Sequence, residues 1–270
     1  MGAGASTHQT AVAGDHHNPT GLDPPAPDRT SPARRQGLAL GATLAKTVAH
    51  FFPELPAWLG ETRDTRDQDL ITYSRQFLPW MGLMAFLLKL GSRRQVRYEL
   101  DSPEALANLN RLARAEQEAM AHSDTLNYFP GHVPPASLTR LRRRMAHRLV
   151  RMKALRPDTV VALANLGGRC RWKIENEGFN IQKNGGFNLE HAYSTGEWQI
   201  KNFYVLLQLA HLFLQLVERG SLLTQEAKKL FGSLRGMARR LAESIRNVLI
   251  LGDALDPKLA ATIQIRLNSS

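Results

Sequence analysis

The chain has 270 residues, in which 35 lysines and arginines outnumber 24 aspartates and glutamates and give a formal net charge of +11 at pH 7. That balance suits a polyanionic partner, because a cation placed on a phosphate releases counterions, but it does not separate DNA from RNA or from an anionic membrane. The single Cys170 excludes an internal disulfide framework and a multi-cysteine zinc site and fits a reducing cytoplasm, and the nine histidines are too scattered to read as a metal site.

Residues 1–35 are rich in Gly, Ala, Thr, Pro and Asp and show no apolar period, so burial cannot offset their ordering entropy and they read as a disordered tail. No charged start followed by an apolar run and a small-residue cleavage site occurs there, so no secretory signal is expected. Residues 36–156 read as a helical region. Its first helix, in residues 38–60, is interrupted by Pro53 and Pro56, and the alternating acids and bases of residues 61–69 read as a solvated turn. Residues 70–90 are strongly apolar, with Phe77, Leu78, Trp80, Met81, Leu83, Met84, Phe86, Leu87 and Leu88. Between Arg75 and Lys89 the uncharged stretch falls short of the ~20 residues a bilayer requires, so a buried helix is expected and no membrane partner. Residues 91–95 read as a basic turn. Ser102 followed by Pro103 marks the next helix start, with Leu106, Leu109 and Leu112 at helical spacing, and residues 122–135 read as a loop.

The strongest electrostatic feature is residues 137–156. Leu138, Leu141, Met145, Leu149, Met152 and Leu155 recur at three- and four-residue steps and make one apolar face. The other faces carry Arg140, Arg142, Arg143, Arg144, Arg148, Arg151, Lys153 and Arg156, with no acid among them. Like charges this dense repel, and a phosphate backbone would relieve the repulsion, which makes Arg140, Arg142, Arg143, Arg144, Arg148, Arg151 and Lys153 the candidate DNA-binding residues. The competing reading is a solvated basic helix, or one paired with acids elsewhere in the fold.

Residues 168–193 are dense in charged, amide and aromatic side chains. Arg171 and Glu175 stand four residues apart, one helical turn, with Gln182 returning to their face and Lys183 just off it. A carboxylate flanked by an arginine and amides can hold a divalent cation or a phosphate near one acidic oxygen, although one carboxylate cannot make a two-metal site, and the same spacing also describes a surface ion pair.

The run Arg171-Trp172-Lys173-Ile174-Glu175 resembles the C-terminal signature of DDE-type insertion-sequence transposases, in which Tyr, two residues, Arg, three residues, Glu, six residues and Lys carry the last acid of the catalytic triad. Gly168 stands where the family has Tyr and Gln182 where it has Lys, with Lys183 one place late, and Glu177 is an alternative to Glu175. The similarity continues to about Gly220 and returns in the N-terminal region, around residues 71–98 and 122–129. It implies DNA element ends as partner and strand cleavage and transfer dependent on Mg or Mn. It also implies Glu175 as catalytic residue and metal ligand, Arg171 orienting it or a phosphate, and Lys183 as a further catalytic candidate. In that family the first two aspartates sit on a strand-rich ribonuclease H-like core before the glutamate helix. Here the only strand-like run in that place is residues 159–163, and Asp64, Asp67, Asp69, Asp101, Asp124 and Asp158 fall in linkers or loops.

The chain therefore reads as the two ends of a transposase with its catalytic middle missing, truncated and catalytically inactive. Residues 157–220 would be the C-terminal segment bearing the signature glutamate and 221–270 a basic helical extension. The expected fold is mainly α, a helical N-terminal part with a helical remnant of a ribonuclease H-like domain. Residues 201–217 form an apolar helix with a polar stripe of Gln208, His211 and Gln215. With the catalytic sheet missing, it would pack on the N-terminal helices, on a second copy, or poorly. Residues 221–246 read as an amphipathic pair with Leu230, Leu234, Leu241 and Ile245 inward and Lys228, Lys229, Arg235, Arg239, Arg240 and Arg246 outward. Alternative readings are a helical regulatory module that forms homo-oligomers or mixed oligomers with an intact transposase through Leu206 and Leu234, and a basic RNA-binding helix protein.

Overall fold

Two apolar runs are too long and too continuous to face water, and their meeting sets the architecture. In the computed structural model, which describes residues 32–152, 154, 178–189 and 193–267, the first forms a helix over Phe77–Leu87 in which every residue is buried. The second forms the longest described helix, Glu197–Arg219. They pack on each other, and Gly82 allows it, since a Cβ there would lie 2.7 Å from Leu206 Cδ1. Around this pair the described helices, in chain order, are α1 (Pro32–Leu38), α2 (Leu40–Phe51), α3 (Leu55–Gly60), α4 (Phe77–Leu87), α5 (Arg93–Glu99), α6 (Pro103–Ala113), α7 (Ser123–Gly131) and α8 (Pro135–Arg151). They continue with α9 (Asn180–Asn184), α10 (Glu197–Arg219), α11 (Gln225–Phe231), α12 (Leu234–Asn247) and α13 (Pro257–Thr262), with a short 3-10 turn at Gly252–Leu255 before the last. No strand occurs among the described residues, where the one isolated bridge pairs Gly220 with Leu267. The fold is mainly α.

The centre of the molecule is α10, which packs on α4, α2, α7 and α8. By length and composition it could cross a membrane, yet 67% of its apolar window is buried inside the fold. Trp80 of α4 stacks on Phe213 of α10 at 5.9 Å between centroids, and Phe52 meets the same ring at 5.9 Å. Each such ring or leucine taken from water contributes ~1.5–3 kcal/mol, so this layer carries much of the stability. Among the packings open to this helix, the N-terminal helices cover it, and Leu206 is buried there. Asn202, fully buried in the same helix, donates to the carbonyls of Pro130 and Val133 and so fixes the turn between α7 and α8.

A second layer is built on α12, whose buried side, Met237, Ala238, Leu241, Ala242 and Ile245, faces α6, α2 and α1. Its start is capped by Ser233, which accepts from Gly236 N, as Thr224 caps α11 through Ala227 N. At its end the fully buried Asn108 of α6 donates to the carbonyls of Ile245 and Val248, both at 2.8 Å, and accepts from Ile250 N at 2.7 Å. The described helices belong to one compact unit, Ser31–Ser270.

Several local expectations are corrected. Helix α1 begins at Pro32, inside the stretch read as tail, and packs on α11 and α12. Residues 91–95 are the capped start of a helix, because Ser92 and Gln95 close a reciprocal capping box. Most of the expected loop at residues 122–135 is α7, with Pro130 tolerated in its final turn. The expected solvated turn at residues 61–69 hides an ion pair: Arg66 and Asp64 side chains are 5% and 1% exposed at 2.6 Å, and Arg66 also donates to Tyr73 O and lies 4.9 Å over the Phe129 ring. Burial opposes the Asp64 charge, but the hydrogen bonds and charge of Arg66 outweigh it and hold the carboxyl below its usual range. In α11 the inward residues are Ala227 and Phe231, one turn apart, while Leu230 points to solvent. Residues 157–177, with the strand-like run at 159–163, lie outside the described residues.

Replacing Asn108 with Leu keeps volume but strands two carbonyls and an amide in the core. The variant is expected to lose about 3 kcal/mol, seen as a lower urea midpoint at unchanged slope; a loss under ~1 kcal/mol would mean that water replaces those bonds.

Candidate nucleic-acid interface

Helix α8 starts at a Pro134-Pro135 step and buries Leu138, Leu141, Met145 and Leu149, the expected apolar face. That face lies against α10. The helix ends at Arg151, so Met152 is 38% exposed instead of joining the core. Lys153, Leu155 and Arg156 lie outside the described residues.

The arginines of α8 divide into two groups. Arg142 donates to Gln208 of α10. Arg144 pairs with Glu61 at 2.5 Å and sits 6.0 Å over the Trp58 ring, and Arg148 donates to Phe51 O at 2.5 Å and to Glu54 at 2.8 Å. Pairing with acids elsewhere in the fold therefore holds for Arg144 and Arg148, while Arg142 is held by an amide. Exposed pairs of this kind contribute little each, but together with the carbonyl bond they fix the rotation of α8 against α2, α3 and α10.

Arg140, Arg143 and Arg151 are exposed, together with His147, and no acid partner for them occurs among the described residues. At 100° per residue these four positions fall within about 80° of arc and extend about 16 Å along the helix. A duplex carries roughly ten phosphate charges over that length, so the stripe matches a backbone segment in sign and size.

Of the C-terminal signature, Arg171 and Glu175 lie outside the described residues, as does Glu177. Lys183 and Gln182 are placed by α9, on different sides. Gln182 is buried with its Nε2 3.4 Å from His211 Nδ1 of α10, whereas Lys183 is exposed. The position that carries Lys in the transposase signature is thus a core contact here.

Beside it lies a polar cluster whose members the sequence offers separately, His211 in a polar stripe and Lys89 at the end of an apolar run, without bringing them together. Lys89, just past the end of α4, holds its Nζ 3.4 Å from the centroid of Phe187, and that ring is 5.1 Å from His211. Neither Lys89 Nζ nor Gln182 Oε1 has a hydrogen-bond partner among the described residues. Gly186, at φ +86°, admits the Lys89 stem and the Arg235 guanidinium, since a Cβ there would lie 3.0 Å from Lys89 Cδ and 3.2 Å from Arg235 Nε. Burial, reinforced by Arg235 and opposed by Glu218, pushes Lys89 down from 10.5 to about 7. Burial, reinforced by Lys89 and Arg219, pushes His211 from 6.5 to about 4. The available signal was a lysine closing an apolar run and a histidine inside an apolar helix, two polar groups in segments that must be buried.

Among the described residues no three His, Cys, Asp or Glu side chains converge on a position able to hold a metal ion. The Asp64 carboxylate is committed to Arg66. Glu175, the one ligand that the resemblance implies for Mg or Mn, lies outside the described residues. No family model, curated protein or solved structure matches the chain.

The two depressed pKa values predict a pH profile for stability. Between about 7 and 10.5 the unfolded state holds the Lys89 proton and the folded state does not, so stability rises with pH in that window. Between 6.5 and about 4 the unfolded state takes up the His211 proton first, so stability falls as acid is added. Lys89→Met is expected to flatten the upper limb and shorten the lower one, because Lys89 is among the charges depressing His211. Denaturant titrations from pH 4 to 10 check this, and an unchanged upper limb in the variant would contradict it.

Proposed function

We propose that this chain is a transposase-derived, duplex-DNA-binding protein that holds DNA through phosphate contacts from α8 and does not cleave it. The observation that carries the proposal is the stripe of Arg140, Arg143, His147 and Arg151, exposed and free of acid partners among the described residues, on a helix whose orientation Arg142, Arg144 and Arg148 fix. Three guanidiniums on a held helix can meet phosphate oxygens with little further ordering cost, and such contacts position a duplex without reading its sequence.

Descent from a DDE-type transposase rests on the residues around Arg171 and Glu175 and on the N-terminal similarity, with the C-terminal helices as a remnant of a ribonuclease H-like domain. Absence of cleavage rests on the chain order, which leaves no run long enough for the strand-rich core between α8 and the glutamate, and on Asp64 being bound to Arg66. The oligomer reading through Leu206 and Leu234 has less support, because Leu206 is buried beneath α4 and Leu234 is half-buried.

The test is a salt-titrated binding assay on duplex DNA with wild type and with Arg140→Gln/Arg143→Gln/Arg151→Gln. Each phosphate contact contributes about 0.9 to the slope of log affinity against log salt, so the triple variant is expected to lose about 2.7 of that slope, equally on unrelated sequences. An unchanged slope would remove α8 from the interface. In parallel, DNA incubated with Mg or Mn is expected to stay intact, and Glu175→Gln is expected to leave binding unchanged. Cleavage lost in Glu175→Gln would show that acids outside the described residues complete a catalytic site.

A further inference from the structure

Helix α5 is short but well fixed. Ser92 accepts from Gln95 N, and Gln95 Oε1 accepts in return from the amides of Gly91 and Ser92. Val96 is its buried anchor. Arg94 and Tyr98, four residues apart, project from the side opposite Val96 with Arg97 on the adjoining flank, and all three are exposed. Tyr98 is 81% exposed, while the other strongly exposed tyrosine, Tyr128, has its ring 3.9 Å from that of His132. Tyr98 has no ring partner among the described residues, and its neighbour Glu99 is neutralised by Arg246 at 3.0 Å. The Tyr98 ring is open beside two guanidiniums for which no acid partner occurs among the described residues.

We propose that Arg94, Arg97 and Tyr98 form a contact for single-stranded DNA, with one unpaired base stacked on the Tyr98 ring and the flanking phosphates on the two arginines. Charge complementarity and the ring select this occupant: stacking on an exposed aromatic is tolerant of sequence because every base has a π-face, and cationic neighbours follow the backbone. The choice of DNA over RNA rests on the proposed function, and the oligouridylate arm of the experiment tests it. In a duplex the base faces are already stacked, so the α5 contact and the α8 stripe take different substrates, and together they suit a junction of duplex with single strand.

The experiment is an anisotropy titration of labelled oligothymidylate, of an abasic strand of equal length, of oligouridylate and of duplex. Each is run with wild type, Tyr98→Ala, Tyr98→Phe, Arg94→Gln/Arg97→Gln and the triple α8 variant. With Tyr98 so exposed, its variants retain the fold, which circular dichroism verifies. Tyr98→Ala is expected to weaken oligothymidylate binding about tenfold and to leave duplex binding unchanged, Tyr98→Phe to bind as wild type, and the abasic strand to be indifferent to residue 98. The arginine pair is expected to lower the single-strand salt slope by about 1.4. Equal binding of oligothymidylate by wild type and Tyr98→Ala, equal binding of abasic and normal strands by wild type, or absence of single-strand binding would each overturn the proposal. So would displacement of the strand by poly-glutamate with no dependence on residue 98, which would make α5 a docking face for acidic protein, and tighter Tyr98-dependent binding of oligouridylate, which would make the strand RNA. Loss of duplex binding alone in the triple α8 variant leaves the α5 contact standing, and an α8 variant without effect on duplex overturns only the α8 reading.

Discussion

The contact between α4 and α10 is the constraint on which the rest of the structure depends. Both helices are too apolar to face water, and each supplies what the other lacks: α4 has a glycine at position 82 where Leu206 of α10 comes closest. Once they meet, Phe213 is enclosed by Trp80 and Phe52, and α2, α7 and α8 close around the remaining sides of α10. Polar groups follow that geometry. Asn202 satisfies the carbonyls where α7 turns into α8, and Asn108 does the same where α12 ends. A chain with this core does not require a sheet to cover α10, which answers in physical terms how a sequence that reads as spliced still encloses its longest apolar helix.

The same layering explains why α8 is suited to a surface role. Its apolar side is spent on α10, and three of its arginines reach down to Gln208, Glu61, Glu54 and the Phe51 carbonyl. These contacts fix the helix rotation, and the rotation decides that Arg140, Arg143, His147 and Arg151 face outward together. The charge stripe is therefore a consequence of packing as much as of composition.

Much of the fold was legible because the signals were periodic and strong. The continuous run at Phe77–Leu87, the Ser102-Pro103 helix start and the apolar steps of α8 from Leu138 to Leu149 stand as expected. The misses differ in cause. Residues 61–69 look like a solvated turn because local composition does not show that Arg66 lies against Phe129, whereas at residues 91–95 the Ser-x-x-Gln spacing of the capping box was present in the sequence and was masked by the two arginines within it. Likewise, which arginines of the basic helix are paired could not be read locally, because their acceptors, Glu54, Glu61 and Gln208, are distant in sequence. His211 was legible as part of a polar stripe, but its approach to Lys89 and Gln182 was not, because the three come from segments distant in sequence.

Native-state hydrogen exchange of α10 tests the central role of that helix most directly. If α4 and α10 form the shared core, the amides of Asn202 through Val217 exchange only through global unfolding, with the free energy obtained from denaturant and the same denaturant slope. Exchange of those amides by local fluctuations while α12 and α6 remain protected would contradict this, and would mean that α10 is a loosely held remnant resting on a core built elsewhere.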